Sequence, residues 1–351
     1  MDSKKILAIC VVIVVVAASA GIAFAVLNKG DNPTLKVSYL KKNGYETLMV
    51  AEDKGFFGQA GLSVESIAVT GSGQDAVNAL LAGQVDIAAT GHGPVANTLN
   101  TYLDKTVIIC GVNHSTGGQV WVSKTGTGIV PYDGTNKEAV KTSFDTFLSE
   151  KGRPVYLGVQ KGATTESEIK LWLKTMDVQF ADFDASTDGK TVKLVDAKKA
   201  NMLITMMNAN EIDVMAASQP FPANALANIK DSYVIGSNAD TKSYDLACYI
   251  TTKAIYDEKK DAIEKFIKGL DIASKYMADS KNTDECIDIC TKVIGTERDT
   301  VKSAFDIADW KVAWSDAMVD TLYKTCDKKG YSVTKDDCRD KCLFRDFIAT
   351  L

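Results

Sequence analysis

The stretch Leu80–Pro94, LLAGQVDIAATGHGP, decides how this chain folds. It reads as the end of a helix, a tight turn at Gly83-Gln84, a short apolar strand Val85–Ala89 and a glycine-rich turn, Gly91-His92-Gly93-Pro94. Apolar β-formers bounded by glycines predict a central strand of a parallel sheet. Glycines beyond its carboxyl end allow the backbone to approach a small ligand closely. A weaker copy lies downstream at Asn208–Pro222, NANEIDVMAASQPFP. There a helix runs into the strand Ile212–Met215, and a proline-containing turn follows. Both copies carry an aspartate at the strand's second position (Asp86, Asp213) and end on proline (Pro94, Pro220). Two such units in one chain predict two similar lobes that offer their loops to one cleft.

The length of 351 residues suits two lobes, and 46% hydrophobic residues give each a core. The net charge is −5 and the basic residues are scattered, which excludes nucleic acid as a partner. The four arginines (Arg153, Arg298, Arg339, Arg345) all lie outside the glycine-rich loops, so no bidentate clamp on an anion is visible. At the start, Lys4 and Lys5 precede the apolar run Ile6–Leu27. Positive charge before an apolar core is a secretory pattern. The run of about twenty residues also suffices to span a bilayer. Residues 1–33 therefore read as a signal sequence or an N-terminal membrane anchor plus a polar spacer, and Ala23-Phe24-Ala25 would suit cleavage. Either way the body is exported: on the outer face of the membrane if anchored, periplasmic or extracellular if cleaved. Cys10 lies inside the run and reads as a small apolar residue.

Along the body, short strands alternate with helices, the α/β signature. Strands are expected at Leu35–Leu40, Leu62–Val69, Val85–Ala89, Val107–Val112 and Gln119–Lys124. Further strands follow at Val155–Val159, Val192–Val195, Ile212–Met215 and Asp245–Thr252. Four strand ends carry turns in register: Asn43-Gly44, Ser72-Gly73, Gly91–Gly93 and Gly162–Thr165. Ser72 is placed to cap the helix that follows it, and Thr164 or Thr165 to cap the helix Glu166–Met176. After Ile255 the chain reads as amphipathic helices centred on Ile263–Tyr276, Asp284–Val293, Thr300–Ile307, Met318–Thr325 and Asp337–Phe347.

Met49–Leu62 (MVAEDKGFFGQAGL), Ala76–Pro94 (AVNALLAGQVDIAATGHGP), Tyr156–Lys174 (YLGVQKGATTESEIKLWLK) and Asn210–Pro222 carry a family likeness. They resemble the substrate-binding proteins of ABC importers, in the branch that serves sulfonates, taurine, nitrate and related solutes. The likeness covers most of Leu35–Ile272. It implies a bilobal type II periplasmic-binding-protein fold, with two mixed sheets flanked by helices, and here a helical C-terminal segment. The crossings between lobes are placed on the strands Gln119–Lys124 and Asp245–Thr252. That divides the body into residues 34–122 (first lobe), 123–247 (second lobe) and 248–351 (return to the first lobe and terminal helices). Three features depart from the family: a C-terminal cysteine set, a histidine in Gly91–Pro94, and the loop Ser218-Gln219-Pro220-Phe221-Pro222.

Open α/β sheets bind ligands beyond the carboxyl ends of their strands. The expected solute-binding residues are Asn43, Gly44, Tyr45, Ser72, Gly73, Gln74, Gly91, His92, Gly93, Gly162, Ala163, Thr164, Thr165 and Gln219. An anionic head group would be held by backbone N–H groups at the helix starts after Ser72 and Gly162, helped by the hydroxyls of Ser72, Thr164 and Thr165. His92 is either an inert loop histidine or a donor to the solute, and Tyr45 either a ligand partner or a ring covering a helix start. Trp121 and Trp172 read as core. Besides Cys10 there are seven cysteines. Cys286 and Cys290 share a helix face, as do Cys338 and Cys342. Two interhelical disulfides, buried free thiols or a four-thiolate metal site all remain open, with disulfides favoured in an exported chain. Cys326 is the odd thiol if Cys110 and Cys248 pair.

The expected function is a monomeric extracytoplasmic solute receptor that closes two hinged lobes on a small anion and delivers it to an ABC permease with its ATPase subunits. No cofactor is expected. The rival is an enzyme, since a pyrimidine-precursor synthase of thiamine biosynthesis resembles this scaffold and depends on a histidine and an iron-associated cysteine cluster. A pyrimidine-binding transport protein is a third reading.

Overall fold

A computed structural model describes residues 32–351, and in it the chain builds one sheet, leaves for a second, and returns. The first passage comprises β1 (Thr34–Leu40), α1 (Glu46–Asp53), α2 (Phe56–Gln59), β2 (Ser63–Val69), α3 (Gly73–Leu81), β3 (Ile87–Gly91), α4 (His92–Tyr102) and β4 (Thr106–Ser115). The excursion comprises β5 (Gln119–Ser123), α5 (Lys137–Lys151), β6 (Val155–Val159), α6 (Thr164–Thr175), β7 (Phe180–Ala181), β8 (Val192–Asp196), α7 (Met202–Asn208), β9 (Val214–Ser218), α8 (Phe221–Asn228) and β10 (Tyr233–Ser237). The return is β11 (Asp245–Thr252), followed by α9 (Lys253–Ala278), α10 (Thr283–Ile294), α11 (Arg298–Phe305), α12 (Asp316–Lys328), α13 (Lys335–Asp340) and α14 (Arg345–Ile348).

The first sheet has the order β2-β1-β3-β11-β4 and the second β10-β5-β9-β6-β8-β7. Both are mixed. β1 runs parallel to β2 and β3, and β6 runs parallel to β8 and β9. The strands that return from the other lobe, β11 and β5, lie antiparallel to β3 and β9. So β3 is central but parallel on one side only, in a mixed sheet as the family likeness implies. The chain changes sheets between Ser115 and Gln119 and again between Ser237 and Asp245, so β5 and β11 each belong wholly to one sheet.

Two expected strands start late. In place of Val85–Ala89 the ladder runs from Ile87, and in place of Ile212–Met215 it runs from Val214. The cause is the aspartate each copy carries. Asp86 N–H donates to the Lys36 carbonyl at 2.8 Å while the Asp86 carboxylate accepts the Lys36 N–H at 2.8 Å. A side chain thus stands where a strand partner would be. β7, α8 and β10 were not foreseen: each is short, and prolines flank and open α8. The expected helix Asp337–Phe347 breaks into α13 and α14 because the Lys341 carbonyl is diverted to Ile108 N–H of β4 at 2.8 Å.

Four apolar clusters fill the two faces of each sheet. In the first lobe one lies under α1, α9 and α10 and the other under α3, α4 and α12. Trp121 and Trp172 are fully buried in the second lobe, where Trp172 Nε1 donates to Asp240 at 2.8 Å. No helix among the described residues is long and apolar enough to cross a membrane. The apolar run Ile6–Leu27 lies outside them.

Candidate functional site

The carboxyl ends of β1, β2 and β3 face those of β6, β8 and β9 across a cavity of about 550 Å³. The first lobe contributes Leu40–Lys42, Tyr45, Ala68–Gly73, Gly91 and Pro94. The second contributes Gln160, Ala163–Thr165, Lys199–Asn201, Leu203, Ala216–Ser218 and Phe221. Of the expected site residues, Tyr45, Ser72, Gly73, Gly91, Ala163, Thr164 and Thr165 come together here. Asn43, Gly44 and Gln219 line a smaller chamber of about 60 Å³ beneath it, which shares Lys42, Tyr45, Gly91, Thr164 and Ser218 with the main cavity. Gly44 takes φ +112°, and its N–H donates to Glu46 Oε2 at 2.6 Å. Burial raises the Tyr45 hydroxyl well above its ordinary range.

Four expected residues lie off the cavity surface. Gln74 accepts from Asn97 at 3.2 Å and faces Gly162, whose added Cβ would stand 3.8 Å from its own. Gly162 has φ +81° and donates its N–H to Glu166 at 2.6 Å. Gly93 packs against the other lobe: a Cβ there would meet Thr164 Cα at 2.9 Å. His92 opens α4 and is fully buried, not a surface loop residue. Leu246 N–H donates to its Nδ1 at 3.2 Å, which fixes the ring proton on Nε2. Nε2 in turn faces Glu168 Oε1 of the second lobe at 3.4 Å. Burial alone would raise the Glu168 carboxyl, but His92, Ser243 and Lys328 together outweigh it and hold the group below its ordinary value. The solute donor anticipated in His92 is instead a tie between lobes.

The charges also differ from expectation. Ser72 caps α3 as expected, accepting Gln74 N–H at 3.2 Å, but its own N–H and hydroxyl are taken by Asp75 at 2.6 and 3.1 Å. Neither Thr164 nor Thr165 caps α6, whose N-cap is Ala163. Thr164 Oγ1 accepts Gly93 N–H at 3.4 Å, and the Thr165 hydroxyl donates to Gln119. Acidic side chains of the chain itself therefore occupy both helix starts. Among the described residues, the charged groups lining the cavity are Lys41, Lys42 and Lys199, and its lining includes no carboxylate. Lys42 Nζ donates to Ser218 Oγ of the facing lobe at 3.2 Å. Burial lowers its pKa, opposed by the charges of Asp245 and Glu46. These lysines stand outside the site residues expected from the sequence. The signal was present, since Lys41-Lys42 directly follow the end of β1.

Of the three readings open for the cysteines, the structure shows buried free thiols and not the favoured disulfides. All seven described cysteines are buried free thiols. Cys286 and Cys290 lie in the cluster under α1, whereas Cys338 and Cys342 lie beside Cys326 in the cluster on the other face of the sheet. The two pairs never meet. Cys110 and Cys248 sit one register step apart on β4 and β11, where Cys248 pairs with Gly111, and they enter opposite faces. Burial pushes Cys286 up to about 11 and Cys342 up to about 12, so these are protonated, unreactive thiols. Among the described residues no cluster of metal-ligating side chains forms.

A family model described as the NMT1-like family matches residues 28–291. No curated protein matches the chain. Among solved structures, the periplasmic nitrate-binding protein NrtA of Synechocystis PCC 6803 superposes with a TM-score of 0.69 at 13% identity, over 88% of this chain and 84% of that one. The periplasmic aliphatic sulphonate binding protein SsuA of Escherichia coli gives 0.66 at 14% identity, over 90% and 98%. The ligand-binding component of an ABC-type import system from Staphylococcus aureus gives 0.65 at 13% identity, over 87% and 95%. At such identities the likeness shows the fold, the bilobal periplasmic-binding-protein architecture.

Proposed function

The chain belongs to the NMT1-like family, and from that premise we propose that it is an extracytoplasmic solute-binding receptor of an ABC importer. The observation that carries this reading is a cavity between two lobes whose charged lining residues are all lysines. A cavity with cationic walls and no carboxylate favours an anion. The apolar wall of Leu40, Val69, Leu203, Ala216, Ala217 and Phe221 suits a short hydrocarbon body. The solute is a small organic or inorganic anion of the sulfonate, taurine or nitrate kind, in keeping with the sulphonate-binding and nitrate-binding proteins that share the fold. Two crossings form a hinge, and closure presents the loaded face to a permease and its ATPase subunits. Residues 1–33 hold the body at the outer face of the membrane or are removed on export. The enzyme reading loses support because His92 is buried away from the cavity. His114 lies on β4 against Tyr244 and Thr321, and the thiols lie in the cores.

A thermal-shift series of taurine, alkanesulfonates, nitrate, bicarbonate and neutral pyrimidines tests this. A binding anion adds ~2.7 kcal/mol at a hundredfold excess over its dissociation constant, and it reduces the radius of gyration in solution scattering. Lys42→Met weakens that binding about ten- to a hundredfold by removing one charge-assisted contact. Ser72→Ala and Thr164→Ala weaken it less, since their hydroxyls already serve internal bonds. If only the neutral pyrimidines shift the melting point, the anion reading is wrong, and if solutes bind without compaction, the hinged-receptor reading is wrong.

A further inference from the structure

Beneath the cationic cavity, the smaller chamber adds acceptors to the one lysine it shares, Lys42. Asn43 directs its Nδ2 to the Thr300 carbonyl at 3.3 Å, which fixes the amide, and its Oδ1 is buried without a partner. Asn113 of β4 is 6% exposed, and its Oδ1 is also buried and unpartnered. Asp245, the first residue of β11, accepts from Gln119 Nε2 at 2.7 Å through Oδ1. Its Oδ2 lies where a Cβ on Gly118 would come within 2.8 Å, so glycine at 118 leaves room for the carboxylate. Two unpartnered amide oxygens, on Asn43 and Asn113, and the Asp245 carboxylate thus line about 60 Å³ together with Lys42, over an apolar floor of Ala304, Ile307 and Ala308. Buried acceptors without donors are costly, and a ligand that supplies N–H groups recovers that cost. The space exceeds one water's share of about 30 Å³ and matches an aminomethyl end. Because the chamber opens past Lys42 into the main cavity, one solute can span both.

We infer that Asp245, Asn113 and Asn43 form a donor-selecting subsite, so that the preferred solute is a short anion bearing a primary ammonium at its far end. This rests on reading the main cavity as an anion site. Asp245 and Gln119 open the strands that follow the two crossings. An ammonium held there engages both links of the hinge, while the anionic end meets Lys41, Lys42 and Lys199.

The test uses full-length protein in detergent and matched pairs in titration calorimetry: taurine and ethanesulfonate, β-alanine and propionate, 2-aminoethylphosphonate and ethylphosphonate. Within at least one pair the amine binds about tenfold to a hundredfold more tightly, the range for a hydrogen bond to a charged group. Asp245→Asn and Asn113→Ala each bring that ratio toward one. Pairs that bind with equal affinity, or a preference for the amine that both variants leave intact, overturn the subsite and spare the anion reading. If no member of any pair binds and none of the other anions does, both readings fall together.

Discussion

The two copies that frame the cleft, Asp86 to Pro94 and Asp213 to Pro222, are built on one plan and finished differently. In the first, the Asp86 carboxylate accepts Lys36 N–H and pairs with Lys259 at 2.7 Å. In the second, the Asp213 carboxylate accepts Tyr156 N–H at 2.9 Å and takes both terminal nitrogens of Arg153 at 2.7 and 3.1 Å. The match extends to the loops ahead of them. Gly44 N–H and Gly162 N–H each donate to a glutamate, Glu46 and Glu166, at 2.6 Å. The strand ends then diverge. The first copy has glycine at 91 and 93, and a Cβ at either would strike Thr164 of the other lobe. The second has Ser218, whose hydroxyl receives Lys42. These glycines serve contact between lobes. One lobe supplies the close approach, and the other supplies the polar side chain.

The largest expected difference lies between the two glutamates. Glu46 is fully buried with Oε1 unpartnered, and burial raises its carboxyl to about 8, while Glu166 Oε1 holds Lys170. The unfolded chain loses this proton near pH 4.5, whereas the folded protein keeps it to about pH 8. The associated stability is full below pH 4.5 and is lost as pH rises through 8, on the order of 3–5 kcal/mol. Chemical denaturation across that window should find Glu46→Gln more stable than the parent at pH 8, and Glu166→Gln slightly less. Equal responses in the two variants break the contrast.

Next come the aspartates. Asp213→Ala should cost ~3 kcal/mol, because it removes a buried acceptor and a bidentate guanidinium partner. Asp86→Ala, with its single half-buried lysine, should cost about 2 kcal/mol by the same reasoning. Urea midpoints check the order, and a reversal would show that the two ties are not equivalent.

The smallest effect on the fold, though not on binding, concerns the strand ends. Gly93→Val forces a branched side chain against the Thr164 backbone, which costs the closed arrangement about 1–3 kcal/mol. Solute affinity should drop about tenfold or more, with far-UV circular dichroism nearly unchanged. Ser218→Ala, which removes only the Lys42 partner, should weaken binding less. Full affinity in the Gly93 variant would return that glycine to the role of an ordinary turn.

Much of this architecture follows from local pattern. Strand alternation and apolar runs locate β1, β6 and β11 almost to the residue, since period and length are local properties of a half-buried strand. The capping box at Ser72 and Asp75 is equally local. The repeated Gln-Val-Asp and Glu-Ile-Asp units made two similar lobes legible, because the same aspartate fulfils the same backbone bond twice. What sequence spacing could not decide is which faces meet. Cys286 and Cys338 satisfied every local rule for pairing, yet the first sheet separates them. By local pattern His92 is a loop residue, but the returning strand β11 covers it with Leu246 N–H and the second lobe supplies Glu168. Likewise Lys42 and Asp245 are 203 positions apart in the numbering, and only the return of β11 to the first sheet, with Lys199 of the second lobe facing them, gives one cavity a cationic wall and its chamber a carboxylate. Secondary structure depends on neighbours along the chain, but the chemistry of a cleft depends on neighbours across it, and those are fixed by packing.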